Sequence, residues 1–380
     1  MTPDVAGSSP AGPAHRARRR AAKPEPKFAQ RRPGQRIIAR GRVLLGRNNR
    51  GHGMQLLNHK KLHIVAGRAT ADLVADICRE LDVAQGTPNI AEFANGEIHV
   101  KYGESIRGSD VFIVQTHTAW DGRSINDSIM EHLIMVDAAK RASAKRITAV
   151  APFFGYSRQD RKASGREPIT ARLIADLFLA AGADRLISVD LHSGQIQGFF
   201  DGPVDHLTAM PVLIDYLAGL DEDDMVIVSP DAGRMKVAER YTNLLDADLA
   251  YVHKRRSTEE KNAVEAKEII GEVAGRCCVL IDDMIDTGGT ICAAAELLHQ
   301  YDAKRIVIAT THGVFSGPAI DRIKNAPVET VLVTDTLPLP SEKRADNITV
   351  LSVAPIIAQA ISAVFEDTSV SEIFQGNHLA

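Results

Sequence analysis

Residues 279–290 constrain this chain more than any other segment, because they read Val-Leu-Ile-Asp-Asp-Met-Ile-Asp-Thr-Gly-Gly-Thr. The apolar run Val279 to Ile281 is typical of a buried parallel strand, and ligands in open α/β sheets bind at the carboxyl ends of such strands. A helical pattern, Ile291 to His299, follows the twelve residues. The segment therefore predicts a strand, a polar turn and a helix.

The turn between this strand and helix has the composition of a phosphate site. Gly288 and Gly289 permit backbone angles that other residues avoid, so successive N–H groups can point at one anion. Thr287 and Thr290 add hydroxyl donors, and the amino end of a helix favours negative charge. The adjacent carboxylates before the turn would repel a phosphate, but they can accept hydrogen bonds from sugar hydroxyls or hold a metal ion. These groups together predict a sugar-phosphate ligand, although an acidic turn that only caps the helix would use the same glycines.

Length and composition indicate a globular protein with more than one core. The chain has 380 residues, 44% of them hydrophobic, and two medium cores fit this length better than one large core. No apolar run approaches the roughly 18 residues of a membrane helix, and the amino terminus has no signal-peptide pattern. The cysteines lack metal-ligand spacing; they are Cys78, Cys277, Cys278 and Cys292. We therefore expect a cytoplasmic protein with reduced, structural thiols and no membrane association.

Charge is unevenly distributed along the chain. Residues 1–53 carry thirteen Lys or Arg and two acids, a net charge of +11, which leaves −14 on the rest of a chain whose total is −3. This basic extension lacks periodicity, so we expect it to be disordered. A nucleic-acid or membrane tether, an organelle transit peptide and upstream sequence from a misassigned start all have this composition. We favour the last, because Met54 stands shortly before the first strand pattern, and we expect no nucleic acid to be required.

From Lys61 onward, short β-branched runs alternate with amphipathic segments of helical length, which predicts parallel sheets covered by helices. The predicted strands span 62–66, 110–115, 146–152, 185–190, 225–230, 249–253, 305–310, 330–334 and 348–353, with a hairpin over 90–102. The predicted helices span 124–142, 169–181, 233–245, 289–301 and 355–366. Two sheets that divide near His206 fit the length, with the last helix returning to the first domain.

Several predicted strands end in polar segments. Besides the acidic turn, these segments are 153–162, 191–193, 231–234 and 254–256. The active sites of α/β proteins collect reactive groups at strand carboxyl ends, so five such endings predict one shared crevice.

Together, these motifs resemble the ribose-phosphate diphosphokinase family, also called phosphoribosyl pyrophosphate synthetases, in its phosphate-activated bacterial class. The resemblance covers essentially all of residues 60–375. It rests on Phe93-Ala-Asn-Gly-Glu97, Glu104-Ser-Ile-Arg-Gly108, Gly155-Tyr-Ser-Arg-Gln-Asp-Arg161, Val189-Asp-Leu-His192, Gln195-Ile-Gln-Gly-Phe-Phe-Asp201, Ser229-Pro-Asp231, Lys254-Arg-Arg256 and the segment 279–290.

The resemblance implies an α/β fold of two type I phosphoribosyltransferase-like domains, each a mostly parallel sheet flanked by helices. Residues 1–53 would form the extension and 60–206 the N-terminal domain with the ATP-binding hairpin and loop. Residues 207–354 would form the C-terminal domain with the ribose-5-phosphate loop, and 355–380 a helix and tail that pack back on the N-terminal domain.

The implied reaction transfers diphosphate from ATP to the C1 hydroxyl of ribose 5-phosphate and leaves AMP, which would feed nucleotide, histidine and tryptophan synthesis. By resemblance, Lys254 and Arg256 stabilise the transition state. These cations suit the reaction, because charge develops on the transferred group and on the departing AMP. His192 and Asp231 would hold the Mg²⁺ that carries ATP. Because magnesium prefers oxygen ligands, His192 could instead act through water or directly on phosphate.

The resemblance also assigns the substrate contacts. The implied ATP-binding residues are Phe93, Asn95, Glu97, Arg158, Gln159 and Arg161. The implied ribose-5-phosphate residues are Asp282, Asp283, Asp286, Thr287, Gly288, Gly289 and Thr290. An aromatic face on the hairpin can stack on a purine while an amide and a carboxylate read its edge. In the family this hairpin reaches a neighbouring subunit, which implies a homohexamer built from dimers.

Each motif also has a purely structural interpretation. The hairpin tip could be an Asn-Gly turn beside a core phenylalanine. Lys254 to Arg256 could be a solvated basic turn, His192 a hydrogen-bonded strand-end histidine, and Asp231 a helix N-cap. Occurring together in this order, the motifs favour function.

A regulatory anion site for inorganic phosphate or ADP is implied only where residues match the phosphate-activated members. The matching residues are Ser105, Arg107, Arg166, Gln197, Asp205, Ser369 and Ser371. Ser164 and Gly165 stand where a basic residue and a serine are usual, which predicts weaker phosphate activation. The acidic loop Ser257 to Lys261 lacks the usual prolines, so its closure over substrate could differ.

Two other functions share parts of this pattern. A base-using phosphoribosyltransferase would share the sugar-phosphate turn, but it gives no reason for paired adenine and triphosphate sites. A catalytically silent regulatory subunit would have lost Lys254, Arg256, His192 or Asp231, and the sequence keeps all four.

Overall fold

The computed structural model describes residues 60–220, 222, 224–255 and 266–374, with 254, 255, 266, 267, 372 and 374 described by their backbone alone. The basic extension 1–53, Arg256 and the loop 257–261 lie outside these residues. The described chain contains two mostly parallel sheets and a separate hairpin, as the alternating sequence pattern predicts.

The first sheet has five parallel strands. In chain order, β1 (Leu62–Ala66) precedes the antiparallel hairpin of β2 (Pro88–Glu92) and β3 (Ile98–Tyr102), and is followed by β4 (Asp110–Val114), β5 (Arg146–Ala151), β6 (Arg185–Val189) and β7 (Val204–Leu207). The spatial order of the sheet is β1-β4-β5-β6-β7. Strand β7, too short and polar to be predicted, forms its edge.

The second sheet has seven strands in the order β10-β9-β8-β11-β12-β13-β14. They are β8 (Met225–Ser229), β9 (Asp248–Arg255), β10 (Ala266–Ile270), β11 (Cys277–Ile285), β12 (Arg305–Gly313), β13 (Thr330–Thr334) and β14 (Ile348–Leu351). Only the edge strand β10 runs antiparallel to its neighbour, β9. Strand β11 lies at the centre, so its carboxyl end is flanked by those of β8 and β12.

Eight α-helices cover the sheets in the described chain. They are α1 (Ala71–Leu81), α2 (Ile125–Arg141), α3 (Thr170–Ala181), α4 (Met210–Ala218), α5 (Met235–Leu245), α6 (Gly289–Gln300), α7 (Ala319–Asn325) and α8 (Ala354–Phe365). The five predicted helices are confirmed to within two residues, whereas α1, α4 and α7 were not predicted. None of the described helices is long and apolar enough to cross a bilayer.

Local chemistry explains where the predicted helices begin and end. At the start of α2, the Ser124 hydroxyl accepts a hydrogen bond from the backbone of Asp127, whose carboxylate accepts one from the Ser124 N–H at 2.7 Å. This reciprocal capping box satisfies two amide groups that the helix leaves free. Gly182 ends α3 with a φ of 115°, a conformation that favours glycine.

The last helix completes the core of the first sheet. Ile357 and Ile361 of α8 share a buried cluster with Val74 and Ile77 of α1 and with Ile64 of β1. Helix α8 therefore covers the apolar face of α1 beside the first sheet. All four cysteines are buried, unpaired thiols.

We expect Ile361→Ala to lower the free energy of unfolding by about 2–5 kcal/mol, because Ile361 is fully buried between α8 and α1 and its truncation leaves a cavity. Urea unfolding followed by circular dichroism measures this loss. Gln359→Ala, an exposed position on the same helix, is the control and should change it by less than ~0.5 kcal/mol. Equal effects of the two substitutions would contradict the packing role of α8.

Candidate active site

The acidic segment lies at the end of a longer strand than the sequence predicts. The prediction that the strand stops at Ile281 is wrong, because β11 continues to Ile285 and pairs with β12 up to Ile285↔Gly313. Asp282 and Asp283 are therefore part of the strand end rather than of the following loop, and the sheet fixes their backbone.

The turn after β11 has the conformation that a phosphate cradle needs. Gly288 adopts a φ of 74°, a left-handed conformation that favours glycine, while Gly289 already begins α6. Of the two glycines, only Gly288 uses this freedom. The side chain of Arg322, on α7, donates to the Thr287 carbonyl at 2.8 Å. A cation thus lies at the turn, and the sequence pattern gave no sign of it.

A partly buried ion cluster joins the two sheets beside this turn. His192, which follows β6 of the first sheet, lies with Nδ1 2.6 Å from Asp283 Oδ2. Arg234, between β8 and α5 of the second sheet, contacts Asp283 Oδ1 at 2.5 Å and Asp282 Oδ1 at 3.3 Å. Arg234 was not predicted as a site residue, although it is the basic residue of a predicted strand ending.

The contacts of His192 indicate which partner its Nδ1 donates to. Its Nδ1 lies within 3.1 Å of Arg234 Nη2 as well as near Asp283. A guanidinium only donates, whereas a carboxylate accepts, and the carboxylate is the closer partner. We therefore assign an Nδ1–H that donates to Asp283. In the neutral ring, this placement of the proton leaves a lone pair on Nε2.

The two aspartates differ in their affinity for protons. Burial, together with the negative charge of Asp283, raises the pKa of Asp282 to about 8. Burial also opposes ionisation of Asp283, but the hydrogen bond from His192 and the charge of Arg234 outweigh it and hold that pKa below its usual value. The pair therefore holds one charge securely and retains one proton near neutral pH.

The predicted ATP loop touches the predicted sugar-phosphate turn. Arg158 Nη1 lies 2.5 Å from Asp286 Oδ2, so an ion pair links the loop after β5 to the end of β11. Gln159 is held at the start of α3, where its Oε1 accepts from Thr170 Oγ1 at 2.5 Å. Among the described residues, the Arg161 side chain makes no hydrogen bond or ion pair. The structure thus brings two of the predicted segments together across the two sheets.

Asp231 adopts the arrangement that its structural interpretation predicts. Its Oδ1 accepts from the Gly233 N–H at 2.8 Å and caps the short 3-10 turn before α5. The second carboxylate oxygen of Asp231, Oδ2, does not take part in this cap. Within the described ranges, no group of three His, Cys, Asp or Glu residues is arranged to hold a metal ion.

The predicted adenine hairpin has an exposed tip. Phe93 is 57% exposed, so the interpretation of a core phenylalanine is wrong. Asn95 Oδ1 accepts from the Glu97 N–H at 3.2 Å, and Gly96 has a φ of 89°, as a tight turn requires. The hairpin tip therefore presents an exposed aromatic side chain.

The predicted catalytic cations are only partly described. Lys254 lies on β9, opposite Lys267 of β10, where backbone positions alone are described. Arg256 lies outside the described residues. Strand β9 neighbours β8 in the sheet, so Lys254 lies near the end of a strand adjacent to the one that leads to Asp231.

Residues of the predicted regulatory site have separate local partners in the described chain. Asp205 is paired with Arg185 at 2.6 Å, and Gln197 donates to the Gly194 carbonyl at 3.1 Å. Arg166 has a φ of 69° in the loop before α3. No hydrogen bond or ion pair among the described residues joins any two of the seven.

Two parallel sheets, with a glycine turn and paired acids at the end of a central strand, define a type I phosphoribosyltransferase-like protein with two such domains. Residues 62–182 match the family described as the N-terminal domain of ribose phosphate pyrophosphokinase, and residues 266–375 match the phosphoribosyl synthetase-associated domain. The chain belongs to the ribose-phosphate pyrophosphokinase family.

Two relatives match this chain over almost the whole of their own length. The ribose-phosphate pyrophosphokinase of Streptomyces avermitilis is 55% identical over 323 residues, which are 85% of this chain and 98% of that protein. The one from Mycobacterium tuberculosis strain H37Rv is 51% identical over 322 residues, 84% of this chain and 98% of that protein. The crystal structure of phosphoribosylpyrophosphate synthetase from Mycobacterium smegmatis matches with a TM-score of 0.75 at 51% identity, and covers 81% of this chain and 100% of that one.

We expect the native protein to lose stability between about pH 4 and about pH 8, compared with the Asp282→Asn variant at the same pH. The quantity compared is the free energy of unfolding. Burial raises the pKa of Asp282 in the folded protein to about 8. As the pH rises, Asp282 therefore loses its proton in the unfolded chain before it does so in the folded one, and this stabilises the unfolded state relative to the folded state. The relative loss should reach at least ~1 kcal/mol. Urea unfolding at pH 5 and pH 8 measures it.

Asp302→Asn, at an exposed position, is the matched control and should give a curve parallel to that of the native protein. If Asp282→Asn also ran parallel, Asp282 would not retain a proton in the folded state.

Proposed function

We propose that this site transfers diphosphate from MgATP to the C1 hydroxyl of ribose 5-phosphate, giving 5-phosphoribosyl 1-diphosphate and AMP. The observation that carries the proposal is the contact between Arg158 and Asp286, because it brings a cationic loop suited to a triphosphate against a turn suited to a sugar phosphate. Family membership supports the same reaction. Residues 60–206 would form the domain that binds ATP, and residues 207–354 the domain that binds ribose 5-phosphate.

Ribose 5-phosphate would occupy the end of β11. The N–H groups and hydroxyls of the turn from Thr287 to Thr290 would bind its phosphate, as the left-handed Gly288 supports. Asp283, held ionised by His192 and Arg234, would accept hydrogen bonds from ribose hydroxyls. Asp282 retains a proton and could donate one hydrogen bond as well as accept others.

ATP would bind with its phosphates near Arg158. In the described chain this guanidinium has Asp286 as its ion-pair partner, which a triphosphate would replace or share. The exposed ring of Phe93, with Asn95 and Glu97 beside it, would take the adenine of an ATP bound to a neighbouring subunit. The chemistry needs cations at the β-phosphorus and at the departing AMP, and Lys254 and Arg256 are the groups we assign to that task.

Magnesium suits the residues assigned to it. His192 presents a lone pair on Nε2, because its Nδ1–H donates to Asp283, and metal-bound histidines generally donate their second ring nitrogen to a carboxylate in this way. Asp231 keeps one carboxylate oxygen beyond the bond to Gly233. When bound, the ion would neutralise charge on the triphosphate. Two protein ligands fit an ion that takes its remaining ligands from phosphate and water.

A second copy of the chain would cover an apolar surface on α3. Ile169, Leu173 and Leu177 recur every fourth residue at this helix and are 37%, 54% and 40% exposed. Met130 of α2, the helix packed against α3, is 52% exposed. Contiguous exposed apolar residues mark interaction surfaces. We assign this α3 face to the contact between subunits of a homohexamer.

We propose that inorganic phosphate and ADP regulate the enzyme, and that phosphate activates it more weakly than it activates the phosphate-activated members of the family. In the segment Lys162 to Arg166, Ser164 Oγ donates to Glu167 at 2.7 Å, and the Ala163 N–H donates to the same carboxylate at 2.7 Å. A carboxylate therefore occupies donors that an effector anion would use.

The unpaired thiols suit a reducing cytoplasm, where we place the protein.

Lys254→Ala should lower the turnover of AMP release from ATP and ribose 5-phosphate by roughly 10²–10³-fold, as for loss of one transition-state donor. Ribose-5-phosphate affinity should change little, because the assigned role of Lys254 lies at the phosphorus. Lys304→Ala, at an exposed lysine distant in sequence from every predicted motif, is the control and should leave turnover unchanged.

Near-normal turnover in the Lys254→Ala protein would remove Lys254 from its assigned role. Absence of AMP release from the native protein under the same conditions, with turnover of phosphoribosyl pyrophosphate and a base instead, would favour the base-using phosphoribosyltransferase.

Leu173→Glu should shift the protein to smaller assemblies, because burying a charge in an apolar contact without a partner is costly. Light scattering coupled to size-exclusion chromatography gives the molecular mass. Leu244→Glu is the matched control, since Leu244 is 52% exposed on α5 but does not lie on the α3 face. An unchanged mass for Leu173→Glu would place the subunit contact elsewhere.

A further inference from the structure

Two fully buried histidines form a directional hydrogen-bond chain behind the predicted ATP loop. The Gly155 N–H donates to His117 Nδ1 at 2.9 Å. His117 Nε2 lies 3.2 Å from His132 Nδ1, and His132 Nε2 lies 3.1 Å from the Ile113 carbonyl. Neither ring has any exposed surface.

The two ends of the chain fix every proton in it. A backbone N–H only donates, so His117 Nδ1 must accept and its Nε2 must carry the proton. That Nε2–H donates to His132 Nδ1, and the remaining His132 Nε2–H donates to Ile113, whose carbonyl only accepts. Both rings are neutral Nε2–H tautomers with all four nitrogens satisfied. Burial lowers the pKa of His117 well below its usual value and that of His132 to about 3, in keeping with this assignment.

Packing gives the pair no freedom to adopt other orientations. The His117 ring stacks on Phe178 at 5.6 Å between centroids, and the His132 ring meets the same phenylalanine edge-on at 4.8 Å. A Cβ added to Gly155 would lie 2.9 Å from the His117 Cβ, closer than side chains approach one another. The sequence requires glycine here because the loop backbone lies directly against His117.

The loop held by this chain has an unusual conformation. Tyr156, the residue after Gly155, has a φ of 61°, which is costly for a residue with a side chain and persists only where neighbours enforce it. Tyr156 Oη donates to Asn126 Oδ1 at 2.6 Å, and the Gln159 N–H donates to the Tyr156 carbonyl at 2.9 Å. This turn orients Arg158 toward Asp286.

We propose that His117 and His132 are positioning residues that fix the loop from Gly155 to Arg161 for ATP. They touch neither substrate; His117 acts through Gly155, and His132 acts by keeping His117 in the tautomer that accepts from Gly155. The proposal rests on the ATP role of Arg158 and Gln159 given above. Without the His132 acceptor, the buried Nε2–H of His117 would have no partner, and turning the ring to find one would break the bond from Gly155.

A pair of substitutions isolates the acceptor. His132→Leu removes it, whereas His132→Asn keeps an oxygen at the same distance from the backbone as Nδ1. Both remove the bond to Ile113, and only the amide oxygen of Asn restores an acceptor toward His117. Val136→Ala, a buried position on the same helix and in the same core, is the control for general loss of stability.

We expect His132→Leu to raise the KM for ATP about tenfold, the factor that corresponds to about 1.4 kcal/mol, and to change the KM for ribose 5-phosphate less than about twofold. His132→Asn should restore most of the ATP affinity, and Val136→Ala should leave both KM values unchanged. The proposal is overturned if His132→Leu and His132→Asn behave alike, or if Val136→Ala raises the KM for ATP as much as His132→Leu does.

Two further measurements separate this proposal from the proposed function. Arg158→Ala tests the ATP role of the loop directly, and hydrogen–deuterium exchange of a peptide that contains Gly155 reports its position. If Arg158→Ala raises the KM for ATP and His132→Leu does not, the histidine proposal fails while the ATP role stands. If Arg158→Ala has no effect, the ATP role fails. Faster exchange in His132→Leu, reversed in His132→Asn, would then still support positioning of the loop, and unchanged exchange would overturn it.

Discussion

The ionised carboxylate of Asp283 is the charge on which the architecture of the site depends. It is 8% exposed, so its charge persists only because His192 and Arg234 contact it from two directions. One partner follows a strand of the first sheet and the other follows a strand of the second. A buried carboxylate with one partner removed would cost several kcal/mol. Charge compensation at a single residue therefore links the site's chemistry to the docking of two sheets.

The sequence predicts well those parts of the fold that depend on local patterns. Alternating apolar runs identify the parallel strands, and Ser124 with Asp127 marks a helix start through neighbouring atoms alone. The glycine turn after β11 belongs to the same class, because a left-handed residue and a following helix amino end are local features. Strand β7 was missed because its four residues carry little apolar pattern and its place depends on pairing with β6. Helix α1 was missed although Leu73, Ile77 and Leu81 recur at helical spacing on its buried face.

The site is less predictable because its contacts are long-range. Arg234 was visible as a basic residue at a strand end, but its pairing with Asp283 depends on the order of strands in the sheet. The histidine chain joins His117 from a loop after β4, His132 from α2 and Gly155 from the loop after β5. Only Gly155 belongs to a motif, and that motif gives no sign of the two histidines. The strand end at Ile285 was missed for the same reason, since its last pairs depend on β12.

The return of α8 to α1 has a consequence for biosynthesis. The apolar face of α1 belongs to the amino-terminal half of the described chain, yet the side chains that cover it come from near the carboxyl end. A ribosome releases these two elements at very different times. The first sheet therefore waits with part of its core open to solvent while the second sheet is synthesised, and chaperones have a defined surface to protect during that interval.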